Sequence, residues 1–465
     1  MLPFGDALAR VGSTVGPSLA ALAVLAGAIL GGWTYAPYGL QTGLGIALGA
    51  GSIVAMGLAL ILAARPRGIE ALFGGLDRIY GVHKWLGITA LAMMIGHNTL
   101  EPELERFVRE SGLGDFAGDL GELALNGFIG LILLSWIKRI PFTRLEIPWQ
   151  IWRFTHRFTG LLFAIAAFHQ LAIDKPAGIA PALGLYLNAF SLAGLAAWLF
   201  TQFVAPFLRP QGFVLDQLQR HGSATEITLR PTGRALRWRP GQFAFVSAPG
   251  AGLTEAHPFT IASAPAPDGH VRFAIKALGD WTRRLPDRLR PGQPLRVDGP
   301  YGRFLFRRRV PRQVWLAGGI GITPFLAWAE ALTEADRQQI ALVWAVTTPD
   351  EAFAAERLRA IAARHPGFDL HIVGSRSDGR LTAERLAALV PFDIATAELF
   401  FCGPTALHRA MLTGRRAMGK SPRRDHCAAV ERRGPAPPPL ARPSRAPPSR
   451  APVRWIGARS FLTAG

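Results

Sequence analysis

The sequence predicts a chain of three parts: a membrane α-helical six-span bundle, an antiparallel β-barrel and an α/β doubly wound nucleotide-binding domain. Long apolar segments are confined to residues 1–209, and each is near the ~20 residues that cross a bilayer. Short alternating segments separated by glycine and proline fill residues 210–310, as in a small barrel. Strand and helix patterns alternate over residues 311–424, which indicates a doubly wound sheet.

Composition limits the partners and the cross-links that the chain can have. Its 465 residues carry a net charge of +19, which by itself suggests nucleic acid. We expect no nucleic-acid partner, because the cations concentrate in short membrane loops, near expected phosphate sites and in the C-terminal segment. The two cysteines, Cys402 and Cys427, cannot form a disulfide framework.

The apolar segments predict a multi-pass protein of the cell (inner) membrane. The N-terminus lacks the basic region and cleavage site of a signal peptide, so the first span is expected to remain. The loops after the second and fourth spans are basic and the loop after the third is acidic. The N-terminus and everything after the sixth span are therefore expected to be cytoplasmic. The spans cover residues 17–33, 42–64, 80–99, 120–137, 151–173 and 183–206.

Two of these spans carry two histidines each. His83 and His97 lie fourteen residues apart in the third span, and His156 and His169 lie thirteen apart in the fifth. Each spacing is about 20 Å along a helix, which fits within one ~30 Å crossing. Imidazoles are costly in a membrane and indicate function there. Facing helices then predict two stacked bis-histidine haem sites, called here the inner pair (His83, His156) and the outer pair (His97, His169). The alternative is four histidines that are each hydrogen-bonded separately within the bundle.

The thirteen-residue spacing predicts an irregular fifth helix. Fourteen residues return His97 to within about 40° of His83, whereas thirteen leave His169 about 140° from His156. We therefore expect a distortion near Gly160, or two haems offset sideways. Nearby cations are expected to neutralise haem propionates, the alternative being ordinary interfacial snorkelling. They are Lys84, Arg153 and Arg157.

Four local motifs mark the barrel, each weak alone but specific in order and spacing. They are Pro240-Gly241-Gln242-Phe243, His257-Pro258-Phe259-Thr260, the run over residues 275–282 and the run over residues 297–302. With the four histidines, they give a chain that resembles the ferric reductase and NADPH oxidase superfamily over about residues 15–424. The resemblance implies a six-span di-haem domain fused to a ferredoxin-reductase-type FAD and NAD(P) module.

The resemblance also implies roles for the barrel residues. His257, Pro258, Phe259 and Thr260 would wrap the isoalloxazine of FAD, with the Thr260 hydroxyl near the reactive flavin nitrogen as a catalytic group. A second set would hold the FAD pyrophosphate, to which a cation, backbone N–H groups and a hydroxyl are suited. This set comprises Lys276, Gly279, Trp281 and Thr282.

The nucleotide domain opens with a strand that runs into a glycine-rich turn and a helix. Thr323 is expected as the helix N-cap and Pro324 in the first turn. The turn glycines, Gly318, Gly319 and Gly321, let a pyrophosphate approach the helix N-terminus.

The last strand of this domain ends in Cys402, Gly403 and Pro404, where such sheets bind ligands. The resemblance places Cys402 beside the nicotinamide as a second catalytic group, and the alternative is a small buried apolar residue. Arg376 is the candidate for binding a 2′-phosphate, but residues 347–350 include an acid, so NADPH and NADH both stay open.

Residues 425–465 are predicted to be a disordered tail rich in proline and arginine. The superfamily usually ends in an aromatic residue stacked on the flavin, and this chain does not. The abrupt change suggests an altered reading frame or a truncated and inactivated product. If the tail is authentic, flavin shielding and hydride transfer are both in question.

Together these features predict a transmembrane oxidoreductase that moves electrons from NADPH or NADH through FAD and two haem b groups to an external acceptor. The acceptor is a small molecule or ion, either a ferric chelate or oxygen, which would give superoxide. Glu101, Glu103 and Glu105 are expected to line the exit and to favour a cationic acceptor. Two alternatives stay open: a b-type cytochrome module with an inactive flavin half, and a membrane protein without cofactor. No obligate protein partner is inferred.

Overall fold

The computed structural model describes residues 4–66, 68–100, 108–109, 111–136, 149–176, 181–419 and 424–429. The first part is helical, with one short antiparallel pair of strands, β1 (Val108–Arg109) and β2 (Lys175–Pro176). Its helices are α1 (Phe4–Tyr35), α2 (Leu40–Ala63), α3 (Glu70–Phe73), α4 (Leu76–Leu100), α5 (Gly114–Trp136), α6 (Trp149–His156), α7 (Thr159–Ala172), α8 (Pro181–Leu199) and α9 (Ala205–Leu208).

Helix α2 lies at the centre of this bundle and packs against α1, α4 and α8. Within the described residues, four helical segments are long and apolar enough to cross a membrane: Val15–Tyr38, Leu40–Ala63, Gly114–Ser135 and Pro181–Leu208. They correspond to the predicted spans one, two, four and six. The third, α4, carries charged residues and two histidines, and the fifth is divided into α6 and α7, each too short to cross alone.

The fifth helix breaks at Arg157 and Phe158, immediately after His156. The Trp198 indole N–H donates to the Arg157 carbonyl over 3.0 Å, which satisfies a backbone group freed by the break. Gly160 gives Trp198 its space, because a Cβ at residue 160 would lie 2.2 Å from the indole ring. The predicted distortion of the fifth helix is confirmed. Gly160 contributes to it because its missing side chain leaves space for the Trp198 indole.

The second part is a six-stranded antiparallel sheet with strand order β6-β5-β8-β3-β4-β7. An isolated bridge between Ile261 and Phe273 brings its two edges together, and buried side chains such as Phe213 and Val246 fill the interior. The predicted barrel is therefore confirmed. Its strands and helix are β3 (Gln211–His221), β4 (Ala224–Pro231), β5 (Phe243–Ala248), β6 (Leu253–Thr260), β7 (Val271–Lys276), α10 (Asp280–Arg288) and β8 (Pro294–Tyr301).

The third part is a five-stranded parallel sheet with strand order β11-β10-β9-β12-β13. Its central strands are almost wholly buried because helices cover both faces. The chain order reverses between β9 and β12, as in a doubly wound fold. The elements are β9 (Arg312–Gly318), α11 (Thr323–Glu330), β10 (Gln339–Val346), α12 (Ala355–Ala362), β11 (Phe368–Gly374), α13 (Ala383–Leu389), β12 (Glu398–Gly403), α14 (Thr405–Ala417) and β13 (Arg424–Ala429).

Strand β13 corrects the predicted end of the nucleotide domain. It pairs in parallel with β12 from Glu398↔Arg424 to Gly403↔Ala429, so residues 425–429 belong to the sheet and the boundary at residue 424 is too early. The His426 ring stacks on Phe400 with centroids 4.6 Å apart. Strand β13 is an edge strand that backbone hydrogen bonds to β12 hold in place. The amino-acid composition of residues 425–465 does not reveal such pairing. Residues 430–465 lie outside the described residues.

The loop between α2 and α4 joins the bundle to the barrel. The Glu70 carboxylate accepts hydrogen bonds from the backbone N–H groups of Gly302 (2.7 Å) and Leu76 (3.0 Å). The Arg65 guanidinium lies over the Phe245 ring, 4.6 Å from its centroid, and 3.8 Å from the Asp298 carboxylate. These contacts bring barrel strands β5 and β8 against the helical domain.

Candidate redox site

A cavity of about 4050 Å³ lies where the three parts meet. Its lining includes the inner pair, the barrel motif over residues 257–260, the Gly279 turn and Cys402. A second cavity of about 1270 Å³ is lined by the outer pair. Most of the predicted site residues are thus brought together, and the two histidine pairs open into different cavities.

The histidines face each other in the predicted pairs. The ring centroids of His83 and His156 are 6.1 Å apart with 78° between the ring planes. Those of His97 and His169 are 6.4 Å apart at 73°. A metal–imidazole bond is about 2.0–2.1 Å, which puts each ring centroid about 3.2 Å from a shared metal and two centroids about 6.3 Å apart. Both pairs therefore fit a metal centre with two axial imidazoles.

Three of the four rings are oriented by backbone carbonyls, which sequence reasoning missed. Nδ1 of His83 donates to the Ala59 carbonyl and Nδ1 of His97 to that of Gly45, each over 2.8 Å, and both acceptors lie on α2. Nδ1 of His169 donates to the Ala117 carbonyl of α5 over 2.7 Å. Since a carbonyl only accepts, each Nδ1 carries the proton and each Nε2 is left without a proton, as an atom that could bind a metal.

Glycines give the outer rings their room. A Cβ at Gly49 would lie 2.9 Å from Nδ1 of His97, and a Cβ at Gly121 would lie 2.7 Å from Nδ1 of His169. Gly49 lies one helical turn after Gly45, whose carbonyl binds His97. Gly121 likewise lies one turn after Ala117, whose carbonyl binds His169. The paired small residues Gly45/Gly49 and Ala117/Gly121 were the available sequence signal.

The inner pair opens toward space and positive charge. Gly87, one turn beyond His83, lines the large cavity, and a Cβ there would meet no atom within 4 Å. Lys84, Arg153 and Arg157 line the same cavity. Their positive charge suits a bound group that carries carboxylates, as haem does in its propionates. Their binding of propionates stays a prediction.

The flavin motif lies on β6 and packs against α10. The rings of His257 and Phe259 lie 4.9 and 5.5 Å from the ring of Trp281, and Thr260 ends the strand at the cavity wall. Burial lowers the pKa of His257, nearby Arg153 lowers it further, and the Glu255 carboxylate at 3.4 Å opposes both effects. His257 is therefore neutral at physiological pH.

The predicted pyrophosphate residues share the wall of this cavity, and the side chains of Thr282 and Lys276 already have partners. The Thr282 hydroxyl accepts from the N–H groups of Leu278 and Gly279, each over 2.9 Å, and so closes the turn that begins α10. Lys276 Nζ lies 3.3 Å from the Glu351 carboxylate of the nucleotide domain. Nε1 of buried Trp281 has no acceptor among the described residues, which fits a bound polar group. Pyrophosphate binding by this set stays a prediction.

The glycine-rich turn lies at the carboxyl ends of β9 and β12, where the strand order reverses. Gly319 has φ 55° and open space beside it, whereas a Cβ at Gly321 would lie 2.1 Å from the Cys402 carbonyl oxygen. Pro324 lies in the first turn of α11, as predicted. The expected N-cap at Thr323 is wrong: α11 begins at Thr323, whose hydroxyl donates to the Ile320 carbonyl, and Ile322 holds the cap position.

Cys402 is 3% exposed and lines the cavity at the end of β12, followed by Gly403 and by Pro404, the N-cap of α14. Burial raises the pKa of its thiol to about 12, and the neighbouring Cys427 thiol adds to the shift. Cys402 is therefore a neutral thiol at physiological pH. A role beside the nicotinamide stays a prediction.

Arg376 lies apart from these residues. It is exposed beyond β11, its backbone N–H donates to the Thr347 carbonyl over 3.1 Å, and it does not line the large cavity. Binding of a 2′-phosphate stays a prediction.

Three family models match successive parts of the chain. They are the ferric reductase like transmembrane component over residues 48–167, an FAD-binding domain over 220–304 and the oxidoreductase NAD-binding domain over 315–413. Together the three models match the ferric reductase and NADPH oxidase superfamily. The chain thus carries a ferric-reductase-like membrane domain followed by an FAD-binding domain and an oxidoreductase NAD-binding domain.

Similar curated proteins cover parts of the chain. NADPH oxidase 1 of Mus musculus is 33% identical over 142 residues, which are 29% of this chain and 23% of that protein. An NADPH oxidoreductase of Mycobacterium tuberculosis is 30% identical over 205 residues, 42% of this chain and 53% of that protein. The stachydrine N-demethylase reductase subunit of Rhizobium meliloti is 26% identical over 208 residues, 42% of this chain and 59% of that protein. The chain thus spans between about a quarter and three-fifths of these relatives.

Solved structures are similar to about half of the chain. The flavohaem-like FAD/NAD-binding domain of nitric oxide dioxygenase from Vibrio cholerae has 20% identity and a TM-score of 0.42, covering 48% of this chain and 99% of that one. A ferredoxin NADP+ reductase from Neisseria gonorrhoeae has 17% identity and a TM-score of 0.42, covering 48% of this chain and 98% of that one.

Proposed function

We propose that this protein transfers electrons from cytoplasmic NAD(P)H through FAD and two b-type haems to an acceptor on the other side of the cell membrane. The observation that carries the proposal is the two pairs of facing imidazoles, whose centroids lie 6.1 and 6.4 Å apart. When bound, the haems supply one-electron chemistry, and FAD links it to two-electron oxidation of the nucleotide.

The residues of this chain divide the work. The inner pair and the outer pair hold the two haems, and carbonyls of α2 and α5 keep the protons on Nδ1 of His83, His97 and His169. Residues 257–260 hold the flavin with Thr260 at the cavity wall. The crevice between β9 and β12 holds the nucleotide, because ligands bind at the point where the strand order of such sheets reverses.

The orientation follows from charge. Arg65, Arg78 and Arg209 lie at the end of the bundle that contacts the barrel, and cationic loops stay in the cytoplasm. The inner pair shares its cavity with the flavin motif and the outer pair does not. Electrons therefore leave from the outer pair, away from the cytoplasm.

Acidic side chains around the outer pair favour a cationic ferric complex over oxygen as the acceptor. Asp115, Asp119, Glu122 and Asp174 line the outer cavity and attract cationic species. The predicted exit residues Glu101, Glu103 and Glu105 lie outside the described residues. Replacing the four lining acids by amides should lower the reduction of a cationic ferric complex and leave haem reduction by the nucleotide unchanged. Equal ferric reduction in the variant and the wild type would contradict this choice of acceptor.

Anaerobic absorption spectroscopy of the purified protein tests the whole route. Addition of NADPH or NADH should give a reduced-minus-oxidised spectrum with a Soret band, and His97→Ala with His169→Ala should retain about half of the pigment. His365→Ala, which changes a histidine outside the pairs, is the matched control. The absence of a Soret band, or full pigment in the double variant, would refute the proposal. Haem that dithionite reduces but neither nucleotide reduces would favour the cytochrome alternative.

A further inference from the structure

His156 is oriented differently from the other three histidines. Among the described residues, no carbonyl accepts a hydrogen bond from its Nδ1. Its ring instead stacks on the indole of Trp152, with centroids 5.0 Å apart and 16° between the planes. We infer that Trp152 is the positioning residue of the inner pair, holding His156 by ring stacking where the other histidines are held by carbonyls. This inference rests on the proposed haem function.

The short helix explains why stacking is needed. Helix α6 ends at His156, and the helical path is interrupted at Arg157 and Phe158 before α7 begins. No continuing helix therefore restrains the His156 imidazole. Trp152 lies four residues earlier on the same helix, and side chains at that spacing lie one above the other. The interruption between α6 and α7 lets His156 face His83, and the contact with Trp152 then orients the His156 ring.

Trp152 is itself fixed from the neighbouring helix. Its indole N–H donates to the Ser135 hydroxyl over 2.9 Å, and that hydroxyl donates to the Leu131 carbonyl of α5 over 2.8 Å. The indole plane is therefore set by α5, and the imidazole plane follows the indole. On the opposite side, His83 is set by the Ala59 carbonyl of α2. The 78° between the two imidazole planes thus results from two separate anchors.

This angle has a spectroscopic readout that does not depend on turnover. The angle between the planes of two axial imidazoles governs the anisotropy of the electron paramagnetic resonance (EPR) signal of a low-spin ferric haem. Nearly perpendicular planes give a highly anisotropic signal. Loss of the indole should let the His156 ring rotate and should change the inner signal alone, because the outer pair has its own carbonyl anchors.

The experiment compares EPR spectra of purified ferric protein in detergent. The wild type should give two low-spin signals. Trp152→Leu should shift or abolish one signal and leave the other. Trp152→Phe should keep that signal in a broadened form, because a phenyl ring still stacks on His156 but has no N–H to donate to the Ser135 hydroxyl. Ser135→Ala should broaden the same signal. Trp85→Leu, a change at a 65% exposed tryptophan two residues from His83, is the matched control and should leave both signals unchanged.

The outcomes separate the two proposals. Two unaltered signals in Trp152→Leu would overturn the positioning role, as would a Trp152→Phe protein no better than the leucine variant. Loss of both signals in both variants would also overturn it, because it would show a purely structural role. A wild-type protein without any low-spin haem signal would instead refute the proposed function.

Discussion

At the scale of single residues, the orientation of the histidine rings depends on backbone carbonyls and on glycines rather than on reactive side chains. The carbonyls of Ala59, Gly45 and Ala117 fix the protonated nitrogen of three rings. The bare Cα of Gly121 leaves the space that one of these rings, His169, fills. The proposed ligation therefore depends on the absence of a methyl group at residue 121 as much as on the presence of the imidazole.

Gly121→Ala tests that dependence. The new Cβ would lie 2.7 Å from Nδ1 of His169, so the ring must move from its carbonyl partner. We expect the outer haem to be lost and about half of the pigment to remain, measured as haem per protein after extraction. Gly130→Ala on the same helix, where a Cβ meets no atom within 4 Å, is the control. Full pigment in Gly121→Ala would contradict the argument.

The thiols give a second prediction at this scale. Burial raises the pKa of Cys402 to about 12 and that of Cys427 to about 11. A raised thiol pKa leaves the neutral, weakly nucleophilic form at pH 8. Alkylation followed by mass spectrometry should therefore label both cysteines slowly, with exposed Cys427 ahead of buried Cys402. Rapid labelling of Cys402 in the folded protein would show that the pKa or the burial is wrong.

At the scale of elements, the break between α6 and α7 resolves the mismatch in histidine spacing. A continuous helix would point His156 and His169 to different sides, yet both face α4. Trp198 stabilises the break by binding the Arg157 carbonyl and by filling the space beside Gly160.

A double-mutant cycle tests this arrangement. Gly160→Ala places a Cβ 2.2 Å from the Trp198 indole and should lower stability by about 1–3 kcal/mol, the range for overpacking. Trp198→Leu removes the clash and also the hydrogen bond, so the double variant should be more stable than the sum of the single effects predicts. Loss of the Soret band on heating reports stability. Strict additivity would show that the two residues do not interact.

At the scale of the whole molecule, the proposed electron transfer requires the barrel to dock on the bundle. The Glu70 carboxylate binds the Gly302 backbone N–H across this interface, and Arg65 packs on Phe245. A second group of charges joins the barrel to the nucleotide domain, where Arg357 binds the buried Glu226 carboxylate at 2.9 Å.

Glu70→Ala should uncouple the domains without disabling the flavin half. A hydrogen bond to a charged group contributes about 1.5–3 kcal/mol, so we expect haem reduction by NAD(P)H to slow about tenfold or more. Reduction of ferricyanide by the flavin should be unchanged, and stopped-flow absorbance separates the two rates. Glu384→Ala, on α13, is the control. If the haems are reduced at the wild-type rate, Glu70 is not needed for coupling.

Local pattern was sufficient for the domain order, the histidine pairs and the need for an irregular fifth helix, because hydropathy, turn residues and helical periodicity are properties of neighbouring residues. Folding of the whole chain decided what joins distant segments: Trp198 against Gly160, α2 carbonyls against α4 histidines, and β13 beside β12. Folding of the whole chain also put Ile322, and not Thr323, at the N-cap position of α11, and it paired Lys276 with Glu351. Such contacts depend on packing between segments far apart in the chain, which no local pattern encodes.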